Sequence, residues 1–414
     1  MKENNFTNTL YTNDNLFILN GLNSNLVDLI YLDPPFNSKR TYSAPIGSKA
    51  AGASFKDMWN WNDVNEAYLE TLAEDFPAIP DFIGAVGILH SKAMSAYLTY
   101  MAQRIIEMHR VLKDTGSLYL HCDPTASHYL KILLDEIFGK NNFRNEIVWC
   151  YKRPSAPKQR QLPRLHDVIF WYSKGEKWIF NGDSIRVPYA QSSLERAGYA
   201  ANMSKMTDGG IVELKEGGKL PEDWWDIPML KGNSKESTGY PTQKPLALLQ
   251  RIIKTSSNKG DIVLDPFCGC ATTCVAAQQL GRKWIGIDIE WKAKEILIQR
   301  LSDDSGIFKD FISPDFIPQR TDVIIVAPTK KEMRVQLYKE QNKLCNGCGH
   351  EYLLKDLETD HIIPKSKGGG DYYENYQLLC GNCNRKKGTN TMEYLRMKNN
   401  THKKLLKKEI IFGE

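Results

Sequence analysis

Residues 240–290 read YPTQKPLALLQRIIKTSSNKGDIVLDPFCGCATTCVAAQQLGRKWIGIDIE. A helix with an apolar stripe is followed by the short strand DIVL, a small-residue turn, a helix opening near Thr272 and the strand WIGID. That order predicts a βαβ unit and therefore a parallel sheet. The first strand ends at Leu264 and Asp265 begins the turn, where Gly269 lets a ligand approach the backbone and the helix N-terminus offers unpaired N–H groups. About twenty residues on, Asp288 ends the second strand, placed to accept hydrogen bonds from a ribose hydroxyl. The spacing alone does not separate one adenosine ligand from another.

The first 150 residues keep the same rhythm: VDLIYLDPP, then SAYLTYMAQRIIEMHRVLKDTG, SLYLHCD, HYLKILLDEIFG and EIVWCYK alternate strand and helix signals. The fold class expected is α/β, a doubly wound and mostly parallel sheet. Residues 152–238 lose the rhythm and carry Pro, Gly, Lys, Arg and the Trp224-Trp225 pair, as a module inserted on the sheet's rim would. Polar sequence from about 302 to 330 reads as a linker, most clearly over 319–330, and KKEMRVQLYKEQNK reads as a helix leading into a cysteine-rich region.

Composition places the chain among globular proteins: 414 residues, 42% hydrophobic and 25% charged, with no apolar run near the roughly 20 residues of a membrane span. The N-terminal stretch MKENNFTNTLYTNDN has no signal-peptide layout, so a cytoplasmic location and no membrane partner are expected. Net charge is +5, and residues 331–414, with 16 Lys+Arg against 11 Asp+Glu, account for all of it. Basic runs there, NRKKG and the KKLLKK of the 401–414 tail, suit phosphate contacts. Of nine cysteines, Cys122, Cys150, Cys268, Cys270 and Cys274 fall in apolar sequence and read as buried small hydrophobes. Cys345, Cys348, Cys380 and Cys383 form two CxxC pairs, which in a cytosolic chain point to tetrahedral zinc.

DPPF at 33–36 in the N-terminal half, followed later by DPFCGCATT at 265–273, resembles the DNA amino-methyltransferases in the permuted order called the β class. The resemblance covers roughly residues 7–300 and includes LYTNDNLFILNGL, GSLYLHCDP, RNEIVWCYKR and YPTQKP. It implies S-adenosylmethionine as cofactor, bound by Asp14 near the adenine, Lys244, Asp265, Phe267, Gly269 and Asp288. It also implies that 1–318 form the methyltransferase domain, with 152–238 as target-recognition region and double-stranded DNA as partner. Departures from the family pattern are Cys270 for serine, Ala271 for the second glycine, Tyr240 for histidine and Phe36 for the commoner tyrosine.

An exocyclic amine on a nucleobase is a poor nucleophile because its lone pair is delocalised into the ring. The Asp33 carboxylate and the Pro34 carbonyl can each accept one of its N–H bonds, directing the lone pair at a sulfonium methyl group. Pro34 and Pro35 lock the backbone that aims both acceptors. Phe36 would stack on the flipped base, and Asp33 would stabilise positive charge developing on nitrogen. Aspartate in the first position favours adenine N6; cytosine N4, where serine is commoner, is the alternative. Protein glutamine methylation fits less well, since the related motif begins with Asn and follows the cofactor loop.

The stretch CNGCGHEYLLKDLETDHIIPKSKGGGDYYENYQLLCGNCNRKKG resembles the HNH nucleases, whose small fold is a ββα-metal unit. The resemblance implies an HNH domain over 331–400, with Cys345, Cys348, Cys380 and Cys383 holding a structural zinc and His361 acting as general base. Asp360 and Asn384 would bind magnesium or manganese, and Asn375 would orient the loop carrying His361. Asn384 stands where many members have histidine. The combined expectation is one bacterial or phage-encoded chain that methylates adenine N6 and cleaves DNA in restriction-modification. A cytosine-N4 methyltransferase whose HNH-like domain grips DNA without cutting is the rival. A homodimer would let a single nuclease unit cut both strands.

Overall fold

The computed structural model describes residues 8–36, 40–44, 48–51, 54–57, 72–73, 75–152, 160, 162–197, 214–303, 311–314, 316–322, 330–371 and 373–399. Twelve strands are named among them: β1 (Thr9–Thr12), β2 (Val27–Leu32), β3 (Arg40–Ser43), β4 (Ser54–Asp57), β5 (Leu112–Cys122), β6 (Phe143–Cys150), β7 (His166–Ser173), β8 (Trp224–Asp226), β9 (Ile262–Asp265), β10 (Lys283–Asp288), β11 (Leu357–His361) and β12 (Tyr376–Cys380).

Eight of them form one sheet in the order β1-β10-β9-β2-β5-β7-β6-β8. The five from β1 to β5 are parallel. β2 is buried along its whole length, and its side chains alternate between two cores as the pleat dictates. Ile30 and Leu32 pack toward the helices Lys92–Val111 and Asn15–Gly21, whereas Leu29 and Tyr31 join the cluster that holds the helix Leu246–Ser256. Asp28 is the buried exception inside this strand. It is satisfied by Lys113 Nζ at 2.7 Å and by the Ile262 N–H at 2.9 Å, the latter tying β2 to β9.

β9 and β2 are neighbours whose onward connections run in opposite directions, to β10 on one side and β5 on the other. A crevice opens at such a switch point, outside the carboxyl ends of the strands. DPPF leaves β2 there, and DPFCG leaves β9.

The doubly wound expectation holds for the sheet, with one difference of detail. β7 comes from the 152–238 stretch expected to lie on the rim, yet it is inserted antiparallel between β5 and β6. Its last six residues, VIFWYS, are all buried. A continuous apolar run of that length is a core strand, and the polar sequence on either side concealed it. Of the same stretch, the helix Gln191–Ala197 and β8 are also described. At the other end, the expected linker from 319 is docked at its start: the Asn23 amide donates to Thr321 Oγ1 at 2.8 Å, and Asp322 accepts from the Ser24 N–H at 2.9 Å and pairs with Arg320. The expected basic tail, 401–414, lies outside the described residues.

Residues 330–399 build a separate small core. The antiparallel hairpin β11–β12 is followed by the helix Gly381–Lys387, giving the expected ββα order. Met333 and Leu337 of the helix Lys330–Glu340 pack with Leu357, Leu378, Leu379 and Leu395 beside Cys345, Cys380 and Cys383.

Candidate active site and zinc-binding hairpin

One cleft of about 450 Å³ at the switch point is lined by Asp14, Asp33, Pro34, Pro35, Phe36, Lys244, Asp265, Phe267, Gly269 and Asp288. These are all the residues that the sequence marked for catalysis and cofactor binding in the first 300, drawn together from segments up to 274 positions apart.

The glycine turn is shaped by its own acids. Asp265, buried at the end of β9, accepts from the Phe267 N–H at 3.0 Å and from Thr273 Oγ1 at 2.5 Å. Burial nevertheless pushes its carboxyl up to about 7. Asp288 accepts from the Gly269 N–H at 2.7 Å and the Glu290 N–H at 2.9 Å, so it braces the turn as well as facing the cleft. Gly269 has φ +49° and a Cβ there would stand 3.0 Å from the Tyr240 ring; only glycine meets both conditions without strain. Ala271 takes φ +58°, the left-handed conformation that its methyl group disfavours. Arg300, which sequence reasoning missed, holds this strained turn by donating to the Cys270 carbonyl at 2.7 Å and to Thr272 Oγ1 at 2.9 Å.

Asp14 is fixed by a second missed arginine. Buried Arg104 pairs with Asp14 Oδ1 at 2.8 Å and donates to Asn15 Oδ1 at 2.6 Å, while Asn15 Nδ2 donates to the Pro266 carbonyl at 2.7 Å. The N-terminal segment is thereby tied to the DPF turn across 251 residues of sequence.

At the DPPF end, Asp33 Oδ2 is paired with Lys244, and Asp33 Oδ1 is buried with no hydrogen-bond partner. Lys244, which the resemblance assigned to the cofactor, lines the same cleft and places its ammonium on the Asp33 carboxylate. Phe36 lies nearly parallel to His121, with ring centroids 6.3 Å apart. His121 is fully buried, between the Tyr31 hydroxyl at 3.0 Å and Asp167 Oδ2 at 3.2 Å, and Tyr151 donates to the other Asp167 oxygen. Burial works against the Asp167 charge, but His121, Lys244 and Tyr151 together hold that carboxyl below the ordinary carboxylate range.

In the small domain the Sγ atoms of Cys345, Cys348, Cys380 and Cys383 all lie within 4.8 Å of one another. A tetrahedral zinc with Zn–S bonds of about 2.3 Å needs sulfurs about 3.8 Å apart, so the set fits that ion. It is the one group of three or more His, Cys, Asp or Glu ligands within reach of a single ion among the described residues.

Asn375 is buried. Its amide bonds both backbone groups of Ile363, at 2.8 and 3.1 Å, and the Gly370 carbonyl at 3.0 Å. His361 Nε2 pairs with Asp371 Oδ1 at 2.8 Å, and Asp371 is held well below the carboxylate range by Lys365, Tyr376 and His361. Asp360 and Asn384, expected to share a divalent ion, are each engaged elsewhere. Asp360 Oδ2 meets Lys387 Nζ at 2.9 Å and Gln377 at 2.8 Å, while Asn384 donates to Glu358 Oε2 at 2.6 Å.

A family model described as DNA methylase matches residues 27–299, which include both β2 with DPPF and the glycine turn. The chain belongs to this DNA methylase family. Among its relatives are the DNA adenine methyltransferase YhdJ of Escherichia coli (strain K12), 30% identical over 71% of this chain and 82% of that protein, and the type II methyltransferase M.EcaI of Enterobacter cloacae, 27% identical over 74% and 72%. The type II methyltransferase M.HpaI of Haemophilus parainfluenzae is 28% identical over 70% and 73%. The HNH endonuclease model matches residues 345–390, so this DNA methylase carries an HNH domain after its methyltransferase fold.

What sequence reasoning missed is mostly support: Arg104, His121 and Arg300 behind the cleft, Asp167 on its wall, and Asp371 and Lys387 around the HNH hairpin. His121 and Asp167 sit in the pairs HCD and HD at strand ends, a pattern that could have marked them.

Proposed function

We propose that this DNA methylase transfers a methyl group from S-adenosylmethionine to adenine N6. The observation that carries the reading is the buried Asp33 Oδ1, an acceptor without a partner at the mouth of the switch-point cleft. A buried carboxylate oxygen left unpaired is costly, and an incoming N6–H supplies its missing partner. Lys244 fixes the other oxygen, so the orientation of the acceptor is set before substrate arrives. The Pro34 carbonyl takes the second N–H, and Phe36, backed by His121, offers the stacking face. S-adenosylmethionine, when bound, would supply an electrophilic methyl on sulfonium; the amine nitrogen would form the N–C bond, the C–S electron pair would stay with sulfur, and the nitrogen would release one proton toward the Asp33 carboxylate or solvent. Asp14, Asp265, Gly269 and Asp288 frame the pocket that would hold it. Adenine is favoured by aspartate at the head of DPPF and by the relative named an adenine methyltransferase.

The same reading extends to cleavage by the HNH domain. His361, aligned by Asp371, would accept a proton from the attacking water, in the manner of a base held by an orienting carboxylate. Asp360 and Asn384, with Glu358 on the same strand face as Asp360, offer the oxygen ligands that magnesium or manganese takes.

With labelled S-adenosylmethionine, wild type is expected to label double-stranded DNA and Asp33→Ala to lose the label by a factor on the order of 10² or more. Persistent labelling by the variant would remove Asp33 from the mechanism. With magnesium and supercoiled plasmid, wild type is expected to nick and His361→Ala is not. Equal, intact plasmid with both would favour a DNA-gripping role for the hairpin.

A further inference from the structure

A second hollow, of about 520 Å³, adjoins the catalytic cleft. The turn that follows β5 divides them: Asp123 lines the cleft, whereas Pro124 and Thr125 line the hollow. Three large aliphatic side chains within two residues of its lining are very exposed, Ile88 at 87%, Leu89 at 86% and Leu162 at 88%. Ile88 and Leu89 end the helix Ala78–Leu89, immediately before His90; Leu162 lies two residues before Arg164. His90 and Arg164 both line the hollow, so each apolar tip lies within two residues of its lining.

The helix buries Ile79, Ile83 and Val86, and Ile88 and Leu89 fall off that stripe, so packing of the fold does not account for them. Scattered exposed leucines need no explanation, but three grouped beside a functional cleft do. Two cations, Arg160 and Arg164, are exposed on the Leu162 side of the hollow, and His128 lines it. At the shared turn the nearest acid, Asp123, has its carboxyl pushed up by burial.

We propose that Ile88, Leu89 and Leu162 form an apolar wedge that enters the duplex at the step vacated by the target base, with Arg164 and its basic neighbours on the adjacent phosphates. The inference rests on the DNA-methylating reading of the cleft. A base must leave the stack to reach Asp33, which costs unstacking and unpairing. Apolar side chains placed between base steps fill the gap, and cations hold the backbone on either side.

The test uses the full chain and a short duplex carrying the target sequence read from DNA that wild type has methylated. A triple variant, Ile88→Ser, Leu89→Ser and Leu162→Ser, is expected to methylate the paired duplex at least tenfold more slowly. On the same duplex with the target base mismatched, where little remains to be pried open, its rate should approach that of wild type. Equal loss on both substrates, or loss on neither, overturns the wedge. A changed oligomeric state with an unaltered ratio between substrates also overturns it, in favour of contact between copies. Wild-type labelling of the paired duplex tests the underlying reading separately.

Discussion

Ala271 carries the clearest local conflict between sequence and backbone. Its left-handed φ of +58° costs an L-residue about 1–2 kcal/mol that glycine does not incur. Glycine also raises the entropy of the unfolded chain, which offsets part of the gain. Ala271→Gly is expected to stabilise the methyltransferase domain by about 1 kcal/mol, read as a higher urea midpoint at unchanged slope. Asp265 makes a prediction in pH. Its folded carboxyl titrates near 7 against an ordinary 3.8 because it is buried. Between those values the unfolded chain gives up its proton while the folded protein keeps it, so this group's contribution falls as pH rises from about 4 to 7. Melting temperatures of the cofactor-free protein across that range should decline less in Asp265→Asn than in wild type. The motif acids Asp33, Asp265 and Asp288 were legible because each stands at the end of a short apolar strand with its signature beside it. Their supports were not: Arg104 reaches Asp14 across 90 residues, and Arg300 reaches Cys270 across 30, contacts that no local pattern encodes.

Among the elements, β7 had to be found by structure. Its neighbours in space are β5 and β6, but its neighbours in sequence are polar and proline-bearing, so periodicity read the region as insertion. The parallel strands were easier, because each alternates with a helix of ordinary length. The β11–β12 hairpin was legible for another reason: two CxxC pairs fix which ends must meet. That dependence is testable. With a core as small as the cluster around Leu357 and Leu378, the hairpin needs its metal to hold the native arrangement. A strong zinc chelator is expected to abolish plasmid nicking while leaving methyl transfer within about twofold of its starting rate. Loss of both together would mean that the two folds do not stand independently.

Across the whole molecule, a DNA methylase fold and an HNH domain share one chain. Among the described residues before Lys330, Asp322 is the last, paired with Arg320 and bonded to Ser24, and the helix Lys330–Glu340 opens the HNH unit. Eight peptide steps separate Asp322 from Lys330, and at full stretch they span no more than about 28 Å. Clamping the tether at Ser24 shortens a leash that would otherwise begin several residues earlier. A connection this short keeps the HNH domain near the DNA that the methylase would grip, at an effective concentration in the millimolar range. Encounter between hairpin and duplex then becomes an intramolecular event, governed by reach and orientation and insensitive to how dilute the protein is.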